Sequence, residues 1–214
     1  GARYQSLYQT LCSNTYKRCW IEQKQMLADD LNQTSYSQHA NIMGILSDAV
    51  PQEKQEALFK KLDADPSLIQ ATFYYRFYLF RALKKVGLAE QYTDMLKPWK
   101  DMLAIGLTTF AENPEPTRSD CHAWSASPVY DMLATVCGVE PAEPGFRSVR
   151  IAPHLGHLKE VKGKVPHPAG LIEIDLRKSG NKIVGTVILP EGLQGTFFRG
   201  EKEIRLISGK NKID

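Results

Sequence analysis

One break in composition governs what this chain can become. All nine tyrosines and all three tryptophans lie before residue 131, whereas ten of the fifteen glycines lie after residue 138. The two parts must therefore be built differently. The join, Glu140-Pro141-Ala142-Glu143-Pro144-Gly145, is proline-rich and turn-forming, as a domain boundary should be. The sequence thus reads as an α+β chain, with a helical domain over 1–138 and a strand domain over 139–214. A length of 214 residues suits two unequal domains, with a core large enough to fold without staples.

The charge balance excludes some partners. The first part carries 14 basic and 15 acidic residues and the second 13 and 9, for a net charge of +3 overall. That is too small and too evenly mixed for the basic stripe that a phosphate backbone requires, so nucleic acid is not an expected partner. No apolar run approaches the roughly 18 residues that span a bilayer, so no membrane partner is expected either. Cys12, Cys19, Cys121 and Cys137 form no C-x-x-C pair. They read as small buried hydrophobes rather than a disulfide framework or metal site. The start, Gly1-Ala2-Arg3, lacks a methionine and a signal-peptide pattern, and reads as an excised piece of a longer protein with Gly1 as a cleavage scar.

The first part predicts successive helices at 2–18, 36–49, 52–63, 67–86, 88–104 and 119–137. Pro51 sits just inside one start, Asp65-Pro66-Ser67 precedes another, and Gly87, Gly106 and Gly138 follow three ends, which is the usual asymmetry of helix termini. The 67–86 segment contains Phe73-Tyr74-Tyr75-Arg76-Phe77-Tyr78-Leu79-Phe80 and is apolar or aromatic nearly all round. Such a helix is expected to be buried on most sides, as the inner helix of a double-layered array would be. In the second part Ile172, Ile174 and Leu176 alternate with Glu173, Asp175 and Arg177, then Lys178-Ser179-Gly180-Asn181 leads into Ile183–Leu189. This is a hairpin signal. A second turn is expected at Gly200-Glu201-Lys202, and the short strands argue for a small antiparallel β-sandwich.

Chemistry concentrates in the stretch from Gly106 to Ser125, read as a loop between two helices, the place where binding and catalytic groups gather. Glu112 is expected to project from a helix end into a cavity. His122 and Trp124 follow at the start of the next helix. A carboxylate for proton transfer, an imidazole for hydroxyls and an indole for the C–H face of a ring are the parts that a sugar site uses. Each also has a plain alternative: Glu112 as a solvated carboxylate, His122 as a core group or part of a helix start capped by Ser119 or Asp120, Trp124 as core. His39 reads as structural, and His154, His157 and His167 as surface groups without metal-ligand spacing.

The ordered motifs Ser37-Gln38-His39-Ala40-Asn41, Gly106-Leu107-Thr108-Thr109-Phe110-Ala111-Glu112, Ser119-Asp120-Cys121-His122-Ala123-Trp124, Pro153-His154-Leu155-Gly156 and Pro168-Ala169-Gly170-Leu171-Ile172 resemble the C-terminal part of bacterial α-L-rhamnosidases of glycoside hydrolase family 78. The resemblance runs over nearly the whole chain. It implies part of an (α/α)6 toroid, about six helices, followed by a β-sandwich. It also implies that Glu112 is the general base of an inverting hydrolysis, that His122 contacts the sugar, and that Trp124 helps to wall its subsite. Two departures stand out. Family members often carry tryptophan where this chain has Phe110-Ala111, with a longer loop to the histidine, which leaves Glu115 as the alternative base. The family's Arg-Asp-Glu-Arg motif, home of the general acid, does not occur. The resemblance therefore implies a fragment, inactive alone, whose partners are a rhamnose-containing glycoside or polysaccharide and the N-terminal remainder of a parent chain, with self-association through the cut helical surface. No cofactor or metal is implied. The alternative is a non-catalytic carbohydrate-binding or scaffold module.

Overall fold

A computed structural model describes residues 1–114 and 116–214, and the chain divides into two compact units. The first comprises residues 1–88 and 102–125, the second residues 89–101 and 126–214.

The first unit opens with α1 (Ala2–Cys19), followed by a two-residue ladder between β1 (Trp20–Ile21) and β2 (Met26–Leu27), and then α2 (Gln38–Leu46), α3 (Gln52–Ala64) and α4 (Arg76–Lys85). Ser37 starts α2: its Oγ accepts from the Ala40 backbone N–H at 3.2 Å, and its own hydroxyl donates to Asp29 Oδ1 at 2.6 Å. Helix α2 buries Ile42 and Ile45, and its close neighbours are α3, α4 and β2. The approach to β2 is tight. A Cβ at Gly44 would lie 2.5 Å from Leu27 Cδ1, so the absence of a side chain there lets the two elements meet. In α3 the buried residues Gln55, Leu58, Phe59 and Leu62 follow the spacing of one helical face. Each fully buried leucine or phenylalanine contributes about 1.5–3 kcal/mol.

Helix α4 is shorter than the predicted 67–86. Its first helical residue is Arg76, because the preceding backbone is committed elsewhere. Ile69 N–H donates to Tyr36 O at 3.1 Å, Gln38 N–H donates to Ile69 O at 2.9 Å, and Ala71 N–H donates to the Gln38 side chain at 2.8 Å. A backbone group bonded to a remote segment cannot also close a helical turn. The aromatic run is accordingly not buried on most sides. Phe73, Leu79 and Phe80 are buried, whereas Tyr74 and Tyr78 are exposed. Helix α1 has no buried residue at all. Tyr4, Leu7, Tyr8 and Leu11 lie exposed along it, with Tyr8 OH donating to Ser47 O at 2.6 Å.

The second unit begins with two 3-10 turns at Ala89–Gln91 and Asp94–Leu96 and the first part of α5 (Lys97–Ala104). It continues with α6 (Ser127–Asp131) and a wider π-turn over Met132–Val136. Where a helix was expected over 119–137, only its later part is helical. The strands are β3 (Val139–Pro141), β4 (Ser148–Ile151), β5 (Glu160–His167), β6 (Gly170–Ser179), β7 (Lys182–Leu189), β8 (Gln194–Arg199), β9 (Lys202–Leu206) and β10 (Gly209–Ile213). They form two four-stranded sheets, ordered β10-β7-β6-β5 and β3-β4-β8-β9. The two sheets share one core, with Ile172, Leu176 and Val187 from the first and Val149, Phe197 and Leu206 from the second. This is the expected sandwich, and both predicted hairpins form, β6 with β7 and β8 with β9. One pair, β4 with β8, runs parallel, within sheets that are otherwise antiparallel. Gly195 belongs to that pair: a Cβ there would stand 2.2 Å from Val149 O.

Of the three histidines read as surface groups, His157 is exposed and His154 and His167 are half-buried, and each is bonded within this unit. His154 Nδ1–H donates to Glu90 Oε1 at 3.1 Å, and Gly156 N–H donates to Glu90 Oε2 at 2.8 Å. His157 Nδ1 lies 3.0 Å from Asp94 Oδ1 and 3.1 Å from Thr93 Oγ1. His167 Nε2–H donates to Phe146 O at 2.8 Å while its Nδ1 accepts from Ala169 N–H at 3.0 Å. The cysteine reading also changes. Cys137 is buried, Cys12 and Cys19 are half-buried, Cys121 is exposed, and all four are free thiols.

Candidate functional site

The site belongs to the first unit and rests on the segment after α5. The helix stops at Gly106, whose φ of +84° suits glycine, with Leu107 N–H donating to Met102 O at 3.0 Å. Glu112 therefore does not project from the helix end, as its spacing suggested. It sits in a loop closed on itself: Glu112 N–H donates to Ser119 O at 2.8 Å, and His122 N–H donates to Phe110 O at 2.7 Å. Those bonds claim the backbone of 119–122 and explain why no helix begins there. Ser119 Oγ takes the Cys121 N–H at 3.3 Å in place of a helix cap.

Within that frame the Glu112 carboxylate is largely covered, with its side chain 16% exposed, and it is paired with Arg118, whose side chain is 81% exposed. The pair is a two-point fork: Arg118 Nε–H donates to Oε2 at 2.8 Å and Nη2–H donates to Oε1. The Arg118 hydrogen bonds, followed by its charge and that of nearby His122, hold the Glu112 carboxyl below the ordinary carboxylate range. Glu112 is thus a charged acceptor at neutral pH. Glu115, the alternative base, lies outside the described residues.

Beside the carboxylate runs a row of rings. His122 and Trp124 meet edge to face with centroids 6.3 Å apart, and Trp124 lies 5.6 Å from Tyr74. Tyr74 lies 6.0 Å from Tyr75, and Tyr75 stands 4.3 Å from the His39 ring. Trp124 is 71% exposed, so it forms a surface and not core. Burial pushes the His39 imidazole below its usual range, opposed by Asp29, and pushes the Tyr75 phenol up. Both favour neutral forms that donate and accept hydrogen bonds at neutral pH.

The structure therefore brings the three sequence-chosen residues Glu112, His122 and Trp124 to one place, and adds Arg118, Tyr74, Tyr75 and His39. The last three were assigned to core or structural roles because aromatic spacing alone reads as packing. The motif around His39 was the available signal. Among the described residues no three His, Cys, Asp or Glu side chains gather as a metal ion would need, and no helix is long and apolar enough to cross a membrane.

Comparison with known proteins shows what the chain is similar to. The sequence model of the bacterial alpha-L-rhamnosidase C-terminal domain matches residues 138–211. The solved GH78 rhamnosidase of Bacillus sp. GL1 superposes with a TM-score of 0.78 at 26% identity, over 89% of this chain and 22% of its own. This chain thus resembles the C-terminal region of family 78 α-L-rhamnosidases, by sequence model over residues 138–211 and by structure over most of its length. The same rhamnosidase fold appears in the native enzyme of Aspergillus terreus, with a TM-score of 0.82 at 18% identity over 99% of this chain and 27% of that one. It appears again in the Streptomyces avermitilis alpha-L-rhamnosidase complexed with L-rhamnose, at 0.80 and 16% identity over 98% and 24%. The rhamnosidase-like chain thus spans about a quarter of the length of these enzymes. Comparison with curated proteins returned no match.

Proposed function

We propose that this chain supplies the general-base half of an inverting site that hydrolyses terminal α-L-rhamnosyl groups. The observation that carries the reading is the Glu112 carboxylate, charged and largely covered, beside His122 and the exposed Trp124. In inversion one carboxyl protonates the leaving oxygen while another takes a proton from water on the opposite face, across about 6.5–9.5 Å. Glu112 takes the second role. His122 orients sugar hydroxyls, and the indole of Trp124 offers a flat apolar face to the ring. The first role belongs to a carboxyl in the parent protein outside this sequence, since the motif that carries it is absent here.

The test lies in the parent enzyme. Glu112→Ala should abolish most turnover of nitrophenyl rhamnoside while leaving rhamnose affinity nearly unchanged, because a base acts mainly in the transition state. Azide should enter the vacated space and yield a glycosyl azide of inverted configuration. Near-normal kcat, or an azide of retained configuration, would remove Glu112 from the role. A non-catalytic module predicts instead that Glu112→Ala has no kinetic effect in any longer form.

A further inference from the structure

The Glu112–Arg118 pair has features that an ordinary surface ion pair lacks. Exposed pairs gain little because two long side chains must give up their freedom to meet. Here much of that freedom is removed in advance. The Glu112 backbone is tied to Ser119 at 2.8 Å, and Thr117 Oγ1 accepts from Asn113 N–H at 3.4 Å while donating to Ser119 O at 3.0 Å. Pro114 and Pro116 further restrict the chain between the partners. The guanidinium is a rigid planar fork matched to a carboxylate, so it holds both oxygens of Glu112 in one plane.

We propose that Arg118 is the positioning residue of Glu112, fixing the orientation in which its carboxylate meets the attacking water. The assignment rests on the reading of Glu112 as the base. A carboxylate at the end of a three-bond side chain samples many orientations, and small misplacements at a reacting centre cost as much as about a hundredfold in rate. Arg118 bonds the carboxylate through both Nε and Nη2 and remains mostly exposed. Among the described residues, the charged groups acting on the Glu112 carboxyl are Arg118 and His122. Removing the guanidinium removes the largest cause of the lowering, so Glu112 becomes protonated over a wider acidic range.

Charge and orientation separate through two variants. Arg118→Lys keeps the cation but replaces the planar fork with a point charge, and Arg118→Gln removes the charge. In the isolated chain, carbon NMR of the Glu112 carboxyl, assigned with Glu112→Gln, should show the titration midpoint rising in Arg118→Gln and rising less in Arg118→Lys. Retained amide spectra confirm that both variants fold. In the parent enzyme kcat should fall about tenfold or more in both variants with KM changed less than about twofold. The acidic limb of kcat should move to higher pH in Arg118→Gln and much less in Arg118→Lys. If Glu112→Gln is inactive while both Arg118 variants keep kcat within about twofold and an unmoved acidic limb, the positioning role fails and the base reading stands. If Glu112→Gln turns over at the wild-type rate, both fail together.

Discussion

At the scale of single residues, burial and bonding set reactivities that sequence position does not disclose. Burial pushes the Cys137 thiol up to about 11, while Cys121 is exposed. Only thiolate attacks an alkylating reagent, so iodoacetamide at pH 8 should label Cys121 in the folded chain and reach Cys137 only after unfolding. Peptide mass analysis reads this directly. Glu90 offers a second case. Its bond from His154, together with the Gly156 N–H, holds its carboxyl below the ordinary range. A carboxyl lowered by folding contributes stability that is present above its unfolded value and lost as pH falls through its folded value. Glu90→Gln should therefore lower the urea midpoint at neutral pH and flatten its decline in acid. An acid decline as steep as that of wild type would mean that other carboxylates carry it.

Elements show where local preference yields to long-range bonding. Residues 67–75 have the apolar content of a buried helix, but Ile69 and Ala71 hydrogen-bond with Tyr36 and Gln38, residues more than thirty positions away. No periodicity within the segment reports that competition. The strands contrast with this. Alternation of Ile172, Ile174 and Leu176 with charged neighbours sets which face is buried, and the register then places Lys162 opposite Asp175 and Lys164 opposite Glu173, with ion pairs at 3.3 and 3.5 Å. The parallel joint between β4 and β8 is less forgiving. Because a Cβ at Gly195 would collide with a carbonyl, Gly195→Ala should destabilise the sandwich by about 1–3 kcal/mol, visible as a lower urea midpoint. At α2, Ser37→Ala removes the cap and a bond to Asp29 and should cost about 0.5–2 kcal/mol.

For the whole molecule, the exposed row of Tyr4, Leu7, Tyr8 and Leu11 on α1 bears on association. Contiguous apolar surface beyond a few hundred Å² usually finds a partner. The isolated chain should self-associate at micromolar concentration, and light scattering on wild type and on Leu7→Lys with Leu11→Lys should show the double variant reverting to monomer. A concentration-independent monomer would show that the stripe is tolerated in water. On the proposed reading, in which another part of a longer protein supplies the general acid, the same chain should not turn over nitrophenyl rhamnoside at a rate near the parent's, because general acid catalysis is worth about 10²–10⁴-fold.

The split into helices and strands, the two hairpins and the cluster of Glu112, His122 and Trp124 within one loop were all determined by the sequence alone. Each depends on neighbours along the chain, where alternation, turn residues and spacing speak directly. Tertiary structure alone decided that α4 begins at Arg76, that Tyr74 and Tyr75 join His39 in a ring row outside the core, and that Arg118 grips Glu112. A tyrosine has the same local preferences whether it is packed or exposed, and a loop arginine has many possible partners. Which one it takes is settled only when backbone bonds between distant segments close the loop and bring the groups into reach.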